Sequence, residues 1–509
     1  MIAVQQLAAS ATESGATESG ATKSEASERP PFLLSVPAQV LALVVMLVGG
    51  AAAGIALGSE AVGSKEAVIL GGALVGVAMA LVAATRFWAL VLLLFVVRSS
   101  IDALKIGKLG EASSALDPGI IVGLVFLAAG ATWLFAQWRS GLLFKLSWPT
   151  RWFFALAASA SLSALGSTHH VHSLETSLKI WAGALMWAVL EQAFREKPER
   201  GRQILAAAAA SLIIPAVVAF QQLQNPAPLE AYLSVSRITG TFVHSNPFAS
   251  YLVILATVAA AVITHLPGKA KIAAGAVFAV ASTFTLFTYA RGAWIALVLG
   301  LIVIGVRQDR RILLAIVAGL LVVIVAVPSV TSRLSDLNKD REVGKGDPNS
   351  LAWRITYWER LLPLTIANPI TGIGLEEVLL TQPEKLQPHN VFVQTTVETG
   401  LLGLGSLIGL AVSSAMALGR AMRKAKPGLE RGIVIGGAGA ALGVLSQLAS
   451  ENLLTQAAIH WYLGAAVAFA LMVAQREATA SPTPSTSSDR HGPDDVTVRD
   501  SMAIGTARA

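Results

Sequence analysis

Three short segments of the chain combine cations, amides and a histidine in a way that suits anion binding and proton transfer. The first is Ser236-Arg-Ile-Thr-Gly-Thr-Phe-Val-His-Ser-Asn-Pro-Phe248. Arg237 is its lone cation. Gly240 and Asn246-Pro247 mark turns, and Asn246 is placed to cap a helix whose first residue is Pro247. The second is Thr288-Tyr-Ala-Arg-Gly-Ala-Trp294, where Arg291 interrupts an apolar stretch running from 271 to 306. An arginine near a membrane interior costs several kcal/mol unless it is paired or lines a cavity. The third is Gln387-Pro-His-Asn-Val391, in which Pro388 fixes the backbone before His389. Beyond it, Asn390, Gln394 and Glu398 recur at helical spacing. They form a polar stripe that must face a bundle interior or a wet cavity, not lipid.

Arginine forks bind phosphate oxygens in pairs. A neutral histidine accepts a proton from an attacking hydroxyl near working pH. Arg237, Arg291 and His389 are thus a sensible minimal set for displacing a diphosphate from a sugar. Each also has a plainer reading. Arg237 anchors to lipid headgroups, Arg291 snorkels beside Trp294 at the interface, and the stripe is interhelical glue. His244 lies near Arg237 as a supporting residue. His169, His170 and His172 cluster in a short loop with no carboxylate before Glu175, so no metal site is expected. His265 and His460 read as interface residues.

The elements that must carry these groups follow from composition. Of 509 residues, 54% are hydrophobic and 14% charged, and the mean hydropathy is +0.63. A soluble domain usually carries about 25% charge. The expectation is an all-α, polytopic transmembrane bundle. About fourteen apolar runs are long enough to count as spans, from 35–58 to 457–474. The short runs 86–98 and 292–306 reduce the count to about twelve if each pairs with a neighbour. No cysteine is present, which excludes disulfides, Cys-ligated zinc and iron–sulfur clusters. The net charge of +7 reads as the positive-inside bias and not as a nucleic-acid surface.

Basic residues crowd into alternate loops, such as Arg195, Lys197, Arg200 and Arg202, and later Arg420, Arg423, Lys424, Lys426 and Arg431. A cytoplasmic N-terminus puts both groups inside. It puts Arg237, Arg291 and His389 together on the external face, along with the long loop 329–388. Within that loop Leu351, Ile355, Trp358 and Leu362 fall at helical spacing, with Arg354, Glu359 and Arg360 off the stripe. This predicts an amphipathic surface helix, followed by a break at Pro369, Gly372 and Gly374. Gly400, Gly403 and Gly405 are expected to allow close helix packing. The tails 1–34 and 476–509 read as disordered and cytoplasmic, flanking a bundle over 35–475.

Outside the cytoplasm there is no nucleotide supply, and the chain has no Gly-x-x-x-x-Gly-Lys-Ser/Thr motif. Chemistry there needs an already activated substrate. The segments Arg237-x-x-Gly240 with His244-x-Asn246, Ala290-Arg-Gly-Ala-Trp294, and Arg354…Asn368-Pro369…Gly372-x-Gly374…His389-Asn390…Glu398-x-Gly400 occur in one order on one face. In this the chain resembles the O-antigen ligase/polymerase family of membrane glycosyltransferases, over roughly 230–415.

The resemblance implies a GT-C-like helical fold and a polyprenyl-diphosphate-linked glycan donor. It also implies a lipid, glycan or protein acceptor, and reaction without metal or other cofactor. By position it makes His389 the base and Arg237 and Arg291 the diphosphate binders. Arg354 would position glycan or loop, and His244, Asn246, Asn390, Gln394 and Glu398 would support the site. Two other readings stand beside it. One is a secondary transporter of a small anion such as bicarbonate, disfavoured because the charges crowd at one face and no half-to-half repeat is visible. The other is a non-catalytic envelope assembly protein.

Overall fold

The computed structural model describes residues 65–102, 118–142, 145–226, 236–326 and 351–476. The tail 1–34, the run 35–58, the loop residues before 351 and the C-terminal tail beyond Arg476 lie outside the described residues. All described secondary structure is helical. In chain order the helices are α1 (Lys65–Ile101), α2 (Pro118–Arg139), α3 (Trp148–Leu165), α4 (His170–Glu196), α5 (Arg200–Ser211) and α6 (Ile213–Gln224). Then come α7 (Ser245–Val262), α8 (Gly268–Phe287), α9 (Arg291–Arg307) and α10 (Arg311–Ala326). The chain closes with α11 (Leu351–Leu361), α12 (Pro363–Ala367), α13 (Glu377–Thr381), α14 (Val391–Lys424), α15 (Leu429–Gln447) and α16 (Ala457–Arg476).

Among the described residues, 7 helical stretches are long and apolar enough to cross a membrane: Leu81–Ile101, Arg200–Gln224, Ser245–His265, Gly268–Phe287, Val391–Lys424, Leu429–Gln447 and Ala457–Gln475. α2 covers the expected run 118–136 with 22 residues, and some other runs in the expected series are helical but shorter or more polar. α9 has 17 residues, and α4 carries Glu175, Lys179 and Glu191. The runs 66–84 and 86–98 are one helix, kinked at Arg86 where φ is −147° and ψ is 66°. The run 203–221 breaks at Leu212 into α5 and α6. Pro215 has no N–H to return to the preceding turn, which accounts for the break.

α7 and α16 are the most buried spans. α7, α9 and α15 lie backbone to backbone. A Cβ added to Gly439 would sit 2.7 Å from Gly300 O, and one on Gly443 would sit 2.9 Å from Ala296 O. Small residues let membrane helices approach this way. The close packing expected of Gly405 is not there, since a Cβ at that position meets nothing within 4 Å.

Gly400 and Gly372 do something different. Gly400 has φ +65° inside α14 and Gly372 has φ +71°. Each is in the left-handed region that favours glycine. The turn at Gly400 frees backbone groups of α14, and the segment 369–374 takes them up. Ile373 N donates to Val397 O (3.0 Å), Gly374 N to Glu398 O (3.1 Å) and Leu401 N to Pro369 O (2.8 Å). The chain after α12 is thus spliced into the kink of α14.

The surface helix is present as α11, but its buried face is rotated from the expected stripe. Tyr357 and Leu361 are buried, whereas Ile355 and Leu362 are exposed. The partners of the helix decide the face. Tyr357 and Leu361 cluster with Val378 and Val397.

Candidate functional site

The residues singled out in the sequence converge at one end of the bundle, on the links that enter α7, α9, α14 and α16. Arg237 lies ahead of α7. Its Nε donates to Thr288 O (2.8 Å) and its Nη2 to Asn246 Oδ1 (2.6 Å). Asn246 is not the expected cap. His244 holds the N-cap position and Asn246 is the second residue of the helix. Its side chain is a bridge, with Nδ2 donating to the Glu451 carboxylate.

Glu451 belongs to the link between α15 and α16 and is buried. Arg354, on α11, reaches the same link and donates from Nη1 to Ser450 O (2.9 Å). Arg291 opens α9 beside it. A Cβ on Gly292 would lie 2.8 Å from Ser450 Oγ and 3.9 Å from Glu451 Oε1. Residues 450–452 are therefore the hub around which the arginines are arranged. Burial pushes the Glu451 carboxyl up to about 7, against the pull of Arg354, Arg237 and the Asn246 hydrogen bond.

His389 stands just before α14 with φ +51°, in a conformation unusual for a side chain with a Cβ. Two bonds from α11 and its surroundings hold the backbone there. Trp358 Nε1 donates to Pro388 O (2.6 Å), and Tyr357 OH donates to Leu386 O (2.8 Å). Asn452, in the same hub, brings Nδ2 to 3.4 Å from His389 Nδ1, a long contact. The Oδ1 of Asn452 is buried without a hydrogen-bond partner. Burial, then the charges of Arg354, His244 and Arg237, lower His389 to about 4. The imidazole is neutral at pH 7 and feels both arginines.

Asn390, Gln394 and Glu398 divide between two tasks. Asn390 caps α14, its Oδ1 accepting from Phe392 N (2.9 Å) and Val393 N (3.1 Å). Gln394 Nε2 donates to Glu398 Oε2 (3.1 Å), and both residues are buried. The Glu398 carbonyl meets Gly374 at the spliced segment. These two side chains lie toward that splice, and neither is bonded to the residues that hold His389.

The histidine cluster has carboxylate partners after all, from far along the chain. His169 Nδ1 lies 3.1 Å from Glu377 Oε2, and His172 Nε2 lies 2.6 Å from Glu376 Oε2. Burial pushes Glu376 up, but the His172 hydrogen bond and the charges of Lys179 and His172 outweigh it and hold the acid below its usual range. These pairs fasten the 375–378 segment to the start of α4. Among the described residues no group of His and acid side chains could hold a metal ion. His460 packs edge-on to Phe153 within the bundle, with centroids 5.3 Å apart.

The site also includes residues that the sequence argument passed over. Glu451 and Asn452 sit in a short link on the face already assigned to His389. An acid and an amide between two apolar helices were the available signal.

The fold and the gathered side chains define an all-α, polytopic membrane protein with a polar site at the mouth of its bundle. The family model described as O-antigen ligase matches residues 274–408, a stretch that holds Arg291, Arg354 and His389. The match supports the O-antigen ligase/polymerase family for this chain, and with it an O-antigen ligase-like activity in general terms. Arg237, Asn246 and Glu451 lie outside the matched stretch. No curated protein matches the chain.

Proposed function

We propose that the protein is a glycosyltransferase of the extracytoplasmic membrane face. It moves a glycan from a polyprenyl-diphosphate carrier to a hydroxyl of a lipid, glycan or protein acceptor. The observation that carries this reading is that three groups meet one link, residues 450–452: Arg237 by way of Asn246 and Glu451, Arg354 through Ser450, and His389 beside Asn452. This supports a base and an anion-binding set in one site.

The acceptor oxygen attacks the anomeric carbon as His389 takes its proton. The bond from that carbon to the diphosphate oxygen breaks, and polyprenyl diphosphate leaves. Arg237 and Arg291 take up the charge that develops on the leaving oxygens. Arg291 is well placed, because the first turn of a helix also offers free N–H groups to an anion. Glu451 orients Asn246, and Asn246 aims Arg237.

The two ends of the Asn452 amide have the same shape. Turned half a revolution, its unpartnered Oδ1 accepts from His389 Nδ1–H and leaves Nε2 as the basic nitrogen. The arginine charges that lower His389 in the free protein are balanced once a diphosphate binds, so the base gains strength with the donor in place.

The test is transfer by purified full-length protein supplied with a defined polyprenyl-diphosphate glycan and candidate acceptors. His389→Ala should abolish transfer while the protein remains folded in the membrane. Transfer at the wild-type rate by that variant removes His389 as the base.

A further inference from the structure

A cavity opens at the same end of the bundle, beside the arginine cluster and not within it. Its volume is about 140 Å³. An engineered cavity on the order of 150 Å³ admits a single six-membered ring, so this space suits one ring and not a whole oligosaccharide. Its charged lining comes from Arg98, Asp102, Glu175 and Lys179, joined by the amide of Gln456 and the hydroxyl of Thr455. The remaining wall is apolar, including Leu124, Phe242 and Trp461.

The charges balance. Two cations face two carboxylates, and Arg98 Nη1 is already committed to Asp102 at 3.3 Å. A diphosphate finds no surplus of positive charge here. A neutral ring that carries hydroxyls fits better. Its O–H groups donate to carboxylates, its oxygens accept from lysine and amide, and its C–H faces rest on the apolar wall. Neither Arg237, Arg291, Arg354, Glu451 nor His389 lines the cavity, but His244 does. His244 is also the N-cap of α7, two residues ahead of the Asn246 that bonds Arg237. His244 thus joins the cavity to the site around His389, on ground the arginines do not occupy.

The geometry points to this cavity as the acceptor subsite, seating the neutral terminal sugar ring of the acceptor. The assignment rests on the glycosyl-transfer reading above. It adds that donor and acceptor are bound by separate residue sets, arginines for one and the α1–α4 cavity for the other.

Two substitutions test it. Glu175→Gln removes one charged acceptor. Gly123→Phe fills the space, because Gly123 lines the cavity and a Cβ there meets nothing within 4 Å. With full-length protein in nanodiscs, Glu175→Gln should raise the acceptor KM about tenfold, the weight of one hydrogen bond to a charged group, and Gly123→Phe should raise it by more. The donor KM and the rate at saturating acceptor should hold within about twofold. A rise in donor KM instead overturns the assignment and gives the cavity to the donor glycan, and unchanged values for both overturn it outright.

A second arm needs no transfer. Saturation-transfer NMR with neutral hexose disaccharides should show binding to the wild-type protein and lose it in Gly123→Phe of equal thermal stability. Signal that persists in the filled variant sinks the subsite. If the wild-type protein transfers nothing, the glycosyl-transfer reading fails while the NMR result still judges the cavity.

Discussion

Asn246→Ala is the most informative single change, because Asn246 stands between a cation and a buried acid. The substitution takes the acceptor from Arg237 Nη2, now 2.6 Å away, and the donor from the Glu451 carboxylate. Arg237 keeps its bond to Thr288 O at 2.8 Å, so the guanidinium stays nearby but loses its aim. A buried polar group left unpaired costs about 1–3 kcal/mol. If half to all of that falls on the bound transition state, kcat/KM drops roughly 2- to 150-fold. The loss should appear chiefly as a higher KM for the polyprenyl-diphosphate donor, with the acceptor KM little changed. Initial rates over a donor series, on protein matched for thermal stability, measure this directly.

Asn246→Asp sharpens the test. It restores an acceptor to Arg237 but sets a second carboxylate beside Glu451, whose own carboxyl is already pushed up to about 7. A like charge raises it further. Only protonated Glu451 can then bridge, so the variant should work better as the pH falls through that higher value, above 7, and level off below it. Wild-type kcat/KM for Asn246→Ala, or pH-independent activity for Asn246→Asp, would refute the relay from Glu451 through Asn246 to Arg237.

Other expectations follow from the same geometry. His389 is lowered to about 4, so its neutral, base-competent form persists down to that pH. The acidic limb of kcat/KM that belongs to it should lie near pH 4 rather than near 6.5, and a His389-dependent limb at 6.5 contradicts the burial and the nearby arginine charges. Arg237→Lys keeps a charge but loses the fork that bonds Thr288 and Asn246 together, and should raise the donor KM about tenfold in a substrate titration. Trp358→Phe removes the bond to Pro388 O and loosens the left-handed His389 backbone, so kcat should fall several-fold with donor binding unchanged in a direct binding assay. Gly372→Ala would bring a Cβ to 2.3 Å from the Glu398 carbonyl carbon. That clash should cost several kcal/mol and lower the thermal unfolding midpoint clearly, whereas Gly405→Ala, open on all sides, should not.

Hydropathy was enough to find the helices, and the spread of basic residues gave the expectation that Arg237, Arg291 and His389 share one face. Those signals are local, or summed over whole loops, and they say nothing of partners. Asn246 has the sequence signature of a cap and is used as a bridge, because Arg237 and Glu451 offer it better bonds than a helix end does. His172 finds Glu376 across more than two hundred residues, and no spacing rule reaches that far. The face of α11 was misplaced for a related reason. Periodicity weighs apolar against polar, and both Tyr357 and Ile355 qualify, but only the cluster with Val378 and Val397 decides which one turns inward. Glu451 was overlooked because a lone acid in a short link looks like ordinary solvated charge until its neighbours are known.

The splice at Gly400 divides ownership of the site. Below the kink α14 runs with the bundle. Above it, the stretch that starts at Val391 is bonded to the 369–374 segment and tied to α15 by Val391 N to Leu448 O at 2.7 Å. Arg354 likewise bonds Ser450 O just beyond α15, so the histidine and Arg354 are held by the cap formed by α11–α13 and by the bundle at once. Arg237 and Arg291 ride with the ends of α7 and α9. Leu401 N and Leu402 N, on the far side of the kink, bond the same 369–374 segment, so the splice clamps both sides of Gly400 and the spacing of His389 from Arg237 and Arg291 is set by joints lying one helical segment away from them.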